Sequence, residues 1–197
     1  MIEITGQREE YTLQQRWGHF LTLLVAVLAL LYGLNIRAGI LNATEPYTNP
    51  EAGIRVSYPL NWLLDEQGDY VFRVRDMTRV GFKTTLQIAT RPIGPETTES
   101  FIQNQLDISR ARAREAYKRL DSRSYTLPDG SRGRRMEYVY AEADVNPFLQ
   151  TLPVVVRGTD ILAIRGGQVI IITFLADAQT YNDDLAIFDR FMADLEF

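Results

Sequence analysis

The chain has 197 residues, of which 46% are hydrophobic and 23% charged, with a formal net charge of −4 at pH 7. That length holds a short anchor plus one domain of about 150 residues, and the negative balance argues against nucleic acid as a partner, because phosphate binding needs a basic surface. The absence of cysteine excludes disulfides, iron–sulfur clusters, c-type haem attachment and a lipidated N-terminal Cys.

Residues 1–16 are polar and carry Glu3, Glu9 and Glu10 against Arg8 and Arg16. From Trp17 to Ile36 there is no Asp, Glu, Lys or Arg, and Arg16 and Arg37 bracket the run. Its length of about 30 Å as a helix matches the hydrocarbon thickness of a bilayer. Trp17 and Tyr32 stand near its ends, as amphipathic aromatics do at the headgroups, and Phe20, Leu24, Leu28 and Leu31 supply the apolar surface between them. The spacing predicts a transmembrane helix over 17–36. A secretory signal peptide would have a shorter apolar core and small residues at a cleavage site, so the run reads as a retained signal anchor. The basic residues ahead of it favour a cytoplasmic head over 1–16 and an extracytoplasmic remainder, with the protein in the cell membrane.

His19 is the single histidine. The run Arg16-x-x-His19-Phe20 followed by Leu30-Leu31-Tyr32-Gly33 is similar to the first helix of membrane cytochrome b subunits, in which a His near the helix start ligates haem. That similarity implies a haem contact shared with a partner chain, since this chain has no second His. An interfacial His at headgroup depth is the other reading.

Residues 37–50 read as a polar linker, with Pro46 and Asn49-Pro50 as breakers. A domain over 51–197 then opens with the alternating strand Gly53–Tyr58 and continues through Trp62–Leu64. Asp65-Glu66-Gln67-Gly68-Asp69 is a polar turn before the strand Tyr70–Val74. Its three acids lack the length and glycine placement of a calcium loop. Lys83–Ala89 is the next strand, stopped by Pro92.

Thr97 or Thr98 caps a helix expected to run to about Leu120, with Ile102, Leu106, Ala113, Ala116, Tyr117 and Leu120 as its apolar stripe. Off that stripe, Arg110, Arg114 and Lys118 fall four apart, either as a solvated face or as a docking face for an acidic partner or lipid headgroups.

Ser124–Leu127 and Arg134–Tyr140 form a hairpin around Pro128–Ser131, and Asn146–Leu149 is a loop able to act as a lid. Three strands follow, Pro153–Val156, Asp160–Ile164 and Gln168–Phe174, with Arg157-Gly158-Thr159 and Gly166-Gly167 as the turns. The last strand is apolar for most of its length, as one covered on both faces would be. Asn182 is the expected cap of a closing helix that buries Leu185, Phe188, Phe191 or Met192, and Leu195.

Ala52-Gly53-Ile54-Arg55-Val56-Ser57-Tyr58-Pro59-Leu60-Asn61-Trp62 resembles the opening strand and turn of PsbP-like domains, the family of the photosystem II extrinsic protein. Val155–Gly158, Phe174–Ala176, Tyr181, Phe188–Phe191 and Leu195–Phe197 resemble its closing half. The resemblance implies an α+β domain, an antiparallel β-sheet sandwiched by helices, behind the transmembrane helix. It also implies a non-enzymatic accessory or assembly factor of a membrane complex. Metal-binding histidines reported for some members have no counterpart in the domain.

The expectation is therefore a non-catalytic single-pass subunit of a larger respiratory or photosynthetic electron-transport complex, for example the alternative complex III of some bacteria. Its partners would be integral membrane subunits and the lipid bilayer, not nucleic acid, and it would hold no cofactor of its own. A membrane-tethered extracytoplasmic protein binding a ligand between the sheet and the 146–149 loop is the alternative. Ser–His nucleophilic catalysis is excluded, because no His follows residue 36.

Overall fold

A computed structural model describes residues 12–143 and 153–197. The chain divides into two units, one ending at Ala43 and one running from Thr44 to Phe197.

The first unit is the helix α1 (Leu13–Leu41). Its stretch Arg16–Ile40 is long and apolar enough to cross a membrane. Large apolar side chains are exposed on all its sides, as expected of a helix whose residues are hydrophobic all round rather than along one stripe.

The second unit begins earlier than the sequence suggests. Strand β1 (Thr44–Asn49) lies inside the expected linker and pairs antiparallel with β2 (Ile54–Pro59). Tyr47 is the cause: its buried ring packs 4.6 Å from Phe72, and its hydroxyl donates to the Val71 carbonyl at 3.2 Å. Pro46 is tolerated because β1 is an edge strand, laddered only to β2.

The main sheet has seven antiparallel strands in the order β3-β4-β5-β9-β8-β7-β6. They are β3 (Leu63–Asp65), β4 (Phe72–Arg75), β5 (Thr85–Pro92), β6 (Glu115–Thr126), β7 (Arg132–Glu142), β8 (Val154–Arg165) and β9 (Gln168–Asp177). Successive side chains point to opposite faces, and both faces are covered. On one, Ile170, Ile172 and Phe174 of β9 pack with the β1–β2 ribbon and with helix α3 (Tyr181–Ala193), where Phe174 and Phe188 stack at 5.0 Å. On the other, Val169 and Ile171 pack with Ile102 and Leu106 of helix α2 (Glu99–Ala113). The unbroken apolar run of β9 follows from this double cover.

Thr98 caps α2 as expected, its hydroxyl accepting from the Phe101 amide at 3.3 Å. The helix does not reach Leu120. It stops at Ala113, Arg114 turns to extended backbone, and Glu115 opens β6. The segment Glu115–Leu120 contains good helix formers, but helix propensity is a weak prior. Here it loses to pairing with β7 and to the packing of Tyr117 against Tyr138, with rings 5.6 Å apart. The switch requires a bulge, and Ala116 sits in it at φ 50°.

Arg157-Gly158-Thr159 is not a turn either. β8 runs through it without a break. Gly158 is there because a Cβ would stand 2.4 Å from the Tyr138 ring on the neighbouring strand. Gly166 and Gly167 do turn the β8–β9 hairpin, at φ 54° and 76°. The closing helix starts one residue before the expected cap: Thr180, not Asn182, precedes its first turn, and it makes no side-chain cap bond. Phe188, Phe191, Met192 and Leu195 are buried and Leu185 is half-buried, as the stripe predicts.

Candidate functional site

The residues proposed from sequence as a docking face are Arg110, Arg114 and Lys118. With α2 ending at Ala113, they share no helix face. Arg110 lies across the sheet on the α2 side, with its guanidinium 4.3 Å from the centre of the Tyr138 ring and ion-paired to Asp160 of β8. Arg114, at the helix end, sits 4.8 Å from the Tyr140 ring centre and donates to Glu142 at 2.6 Å. Lys118 is the ladder partner of Val139, which points away from Tyr138 and Tyr140. Two of the three cations are therefore drawn toward acids and rings of the sheet, and the third lies on its other face.

The group they help to form was not legible as a site. Asp160 is fully buried, and it accepts from Thr173 Oγ1 at 2.9 Å and from the Tyr138 hydroxyl at 3.3 Å besides Arg110. Beside it, the Tyr117 hydroxyl donates to Asp107, which also receives Arg119 at 2.5 Å. Burial pushes the Tyr117, Tyr138 and Tyr140 hydroxyls above the usual tyrosine range; at Tyr117 the Asp107 carboxylate adds to it. In sequence Asp160 is a lone acid ahead of an apolar run, and nothing in its spacing ties it to Arg110 fifty positions earlier.

On the opposite face, buried Glu137 draws Arg157 at 2.8 Å, Arg135 at 3.1 Å and Arg123 at 3.7 Å. Buried Asp184 of α3 accepts from Thr84 at 2.9 Å, from Thr180 at 3.2 Å and from Arg79. Every one of these carboxylates is occupied by guanidinium or hydroxyl donors, so the arrangement pins strands and helices together. Asp65, in the acidic turn, accepts from the Gln67 amide at 2.9 Å, the Tyr70 hydroxyl at 2.8 Å and Arg73. These bonds, the backbone one first, hold its carboxyl well below the usual range. Among the described residues, no three His, Cys, Asp or Glu side chains converge as metal ligands would.

His19 lies on α1, one turn inside its start and exposed, next to Trp17 and Phe20, whose rings meet edge to face at 6.2 Å. The residues expected from sequence to anchor the chain, Trp17, Phe20, Leu24, Leu28, Leu31 and Tyr32, are all exposed, with Trp17 at 67% and Tyr32 at 70%. The 146–149 loop lies outside the described residues.

A seven-stranded antiparallel sheet with one helix on each face, and charged pairs that knit the layers, defines an α+β sandwich with the PsbP-like fold. No model of a known protein family matches the chain, and no curated protein matches it. Solved structures do. It is similar to cyanobacterial PsbP (CyanoP) from Synechocystis sp. PCC 6803, with a TM-score of 0.59 and 13% identity over 78% of this chain and 92% of that one. It is also similar to the Ran-binding protein Mog1p of Saccharomyces cerevisiae, with a TM-score of 0.52 and 7% identity over 78% and 95% of the two chains. LpqN of Mycobacterium tuberculosis, involved in cell envelope biogenesis, gives a TM-score of 0.52 and 13% identity over 78% and 89%. At these identities the likeness is one of fold.

Proposed function

We propose that the protein is a non-catalytic, single-pass accessory or assembly subunit of a larger membrane complex. The observation that carries this reading is α1: an apolar helix with exposed side chains all round, joined to a domain of PsbP-like fold. Such a surface is stable only in lipid or against other apolar helices. The bias of Arg8 and Arg16 ahead of the helix supports a cytoplasmic N-terminus and an extracytoplasmic domain in the cell membrane. A respiratory or photosynthetic electron-transport assembly, alternative complex III among them, is the kind of complex such a subunit would serve. Integral membrane subunits are then its partners, and His19 near the helix start would be the contact to any haem shared with a neighbour.

The test is gentle solubilisation of native membranes, capture through a C-terminal tag, mass spectrometry and an absorption spectrum. Stoichiometric recovery with integral subunits is the expected result, and a haem or chlorophyll band would identify the complex as an electron-transport one. Recovery of the bare protein as a stable monomer would overturn the reading and favour a membrane-tethered ligand-binding domain.

A further inference from the structure

The second unit carries exposed large apolar side chains, and four of them belong to segments at one end of the sheet. Leu60 and Leu63 flank the turn into β3, and Leu63 is the ladder partner of Arg75, the last residue of β4. The loop that follows, residues 76–84, carries Met77 and Val80. Val80 is 99% exposed.

That exposure is held in place by its surroundings. The Asp76 amide donates to the Thr84 carbonyl at 2.9 Å and closes the base of the loop. The Asp76 carboxylate accepts from the Thr78 amide at 3.0 Å and the Thr78 hydroxyl at 2.6 Å. Arg79 sits 3.3 Å from Asp76 and pairs with buried Asp184, and Lys83 Nζ donates to the Arg79 carbonyl. Gly81, at φ 78°, turns the chain back directly after Val80, a conformation glycine adopts without strain. A loop tied down at this many points presents its valine to the outside as a fixed feature.

The covalent chain enters the domain at the same end. Thr44, the first residue of β1, is the ladder partner of Pro59, which adjoins Leu60. Counted from Ile36, where the charge-free run closes, α1 continues to Leu41, a rise of about 7 Å. That is roughly the depth of one headgroup layer. From Leu41 to Thr44 the chain can add at most about 10 Å. Whatever orientation the domain takes, Thr44 and its partner Pro59 stay close to the outer edge of the headgroups.

We infer that the 76–84 loop, with Leu60 and Leu63, is a second membrane contact, seated on the lipid bilayer beside the point where the anchor emerges. Val80 and Met77 enter the boundary between headgroups and acyl chains, where a small apolar surface gains from leaving water. Arg79 is held by Asp76 and Asp184, so the contact is carried by apolar area, with Lys83 as the one neighbouring cation not ion-paired among the described residues. The domain is then restrained at two points rather than swinging on a two-residue tether. This inference rests on α1 being inserted in the bilayer.

The natural chain has no cysteine, so single-cysteine variants report without background. Full-length V80C, T126C and L28C are each labelled with an environment-sensitive fluorophore in nanodiscs of phosphatidylcholine and phosphatidylglycerol. Thr126 is exposed at the opposite end of the sheet, and Leu28 lies mid-anchor. The expected result is that the V80C label is quenched by brominated lipid and several-fold less by aqueous iodide than the T126C label. V80C as open to iodide as T126C, with L28C in lipid, overturns the second contact and leaves the anchor standing. V80C shielded from iodide but untouched by brominated lipid assigns the tip to a protein neighbour and also overturns it. L28C open to iodide overturns the anchor and the contact together.

Discussion

Replacing Arg110 with leucine tests whether the Arg110–Asp160 pair is a structural element or a free cation awaiting a partner. Asp160 has no solvent access and Arg110 retains 19% of its side-chain exposure. Removing the guanidinium leaves a buried carboxylate with two hydroxyl donors, Thr173 at 2.9 Å and Tyr138 at 3.3 Å. Breaking a buried ion pair from one side costs about 3–5 kcal/mol, and the two remaining donors place R110L near the lower end, at about 3 kcal/mol. The contact of the guanidinium with the Tyr138 ring, 4.3 Å to its centre, adds about 0.5–1 kcal/mol, offset in part by the apolar leucine. Urea unfolding in mild detergent measures this directly. In a W17F background the only remaining tryptophan is Trp62, buried in the core, and its fluorescence follows the domain alone. The double variant R110L/D160N removes the orphaned charge and should recover at least about 1 kcal/mol relative to R110L, the size of coupling expected between contacting groups. A cost for R110L below about 1 kcal/mol, or a double variant no more stable than R110L, would refute the structural assignment and return Arg110 to the surface.

Three further substitutions probe the points where the chain departs from its local sequence preferences. G158A forces a Cβ to within 2.4 Å of the Tyr138 ring, which is held by Arg110 and Asp160, and should cost about 2–3 kcal/mol in the same urea assay, the upper range for overpacking; a neutral outcome would mean the ring shifts freely. A116G relieves a left-handed non-glycine residue at φ 50°; the penalty for L residues there is about 1–2 kcal/mol, less the backbone entropy of glycine, so the unfolding free energy should rise by up to about 1 kcal/mol while A116V lowers it. D65N acts on acid stability. The Asp65 carboxyl is held below its ordinary range by the Gln67 amide, Arg73 and Tyr70, so its contribution is present above the unfolded value of about 3.9 and lost as pH falls toward the folded one. The stability gap between the natural chain and D65N should therefore narrow from about pH 5 downward, and a gap unchanged across that range would show that the carboxylate charge does not matter.

The elements legible in the sequence were those whose local signal and tertiary role coincide. The long apolar helix is one: twenty residues without a charge fall inside α1 and expose apolar side chains all round. β2, with Ile54, Val56 and Tyr58 buried and Arg55 exposed between them, is another, because period two in the sequence is period two in the sheet. β9 announced its double cover by being apolar on both faces. The failures share a cause. Thr44–Asn49 is polar and proline-containing, and it becomes a strand because one residue, Tyr47, finds Phe72 twenty-five positions later. Glu115–Leu120 has helical composition and becomes a strand because β7 offers a full ladder. Gly158 reads as a turn and is a clearance for a tyrosine one strand away. In each case a long-range contact overrides a short-range preference.

The same distinction explains why the charged residues misled. Arg110, Arg114 and Lys118 were grouped because they fall four apart, a spacing that means adjacency only on a helix. Once Arg114 turns to extended backbone, the period changes from 3.6 to 2 and the three cations separate, two toward α2-side partners and one to the reverse face. Three of the buried carboxylates, Asp160, Glu137 and Asp184, each draw at least one cation from another element, and those partnerships fix layer against layer. The polar chemistry of the domain is thereby spent largely on internal registration, and among its described large apolar residues Val80 is the most exposed. With α1 inserted as we propose, the two residues between Leu41 and Thr44 leave that end of the domain within reach of the bilayer, which is what the single-cysteine variants test.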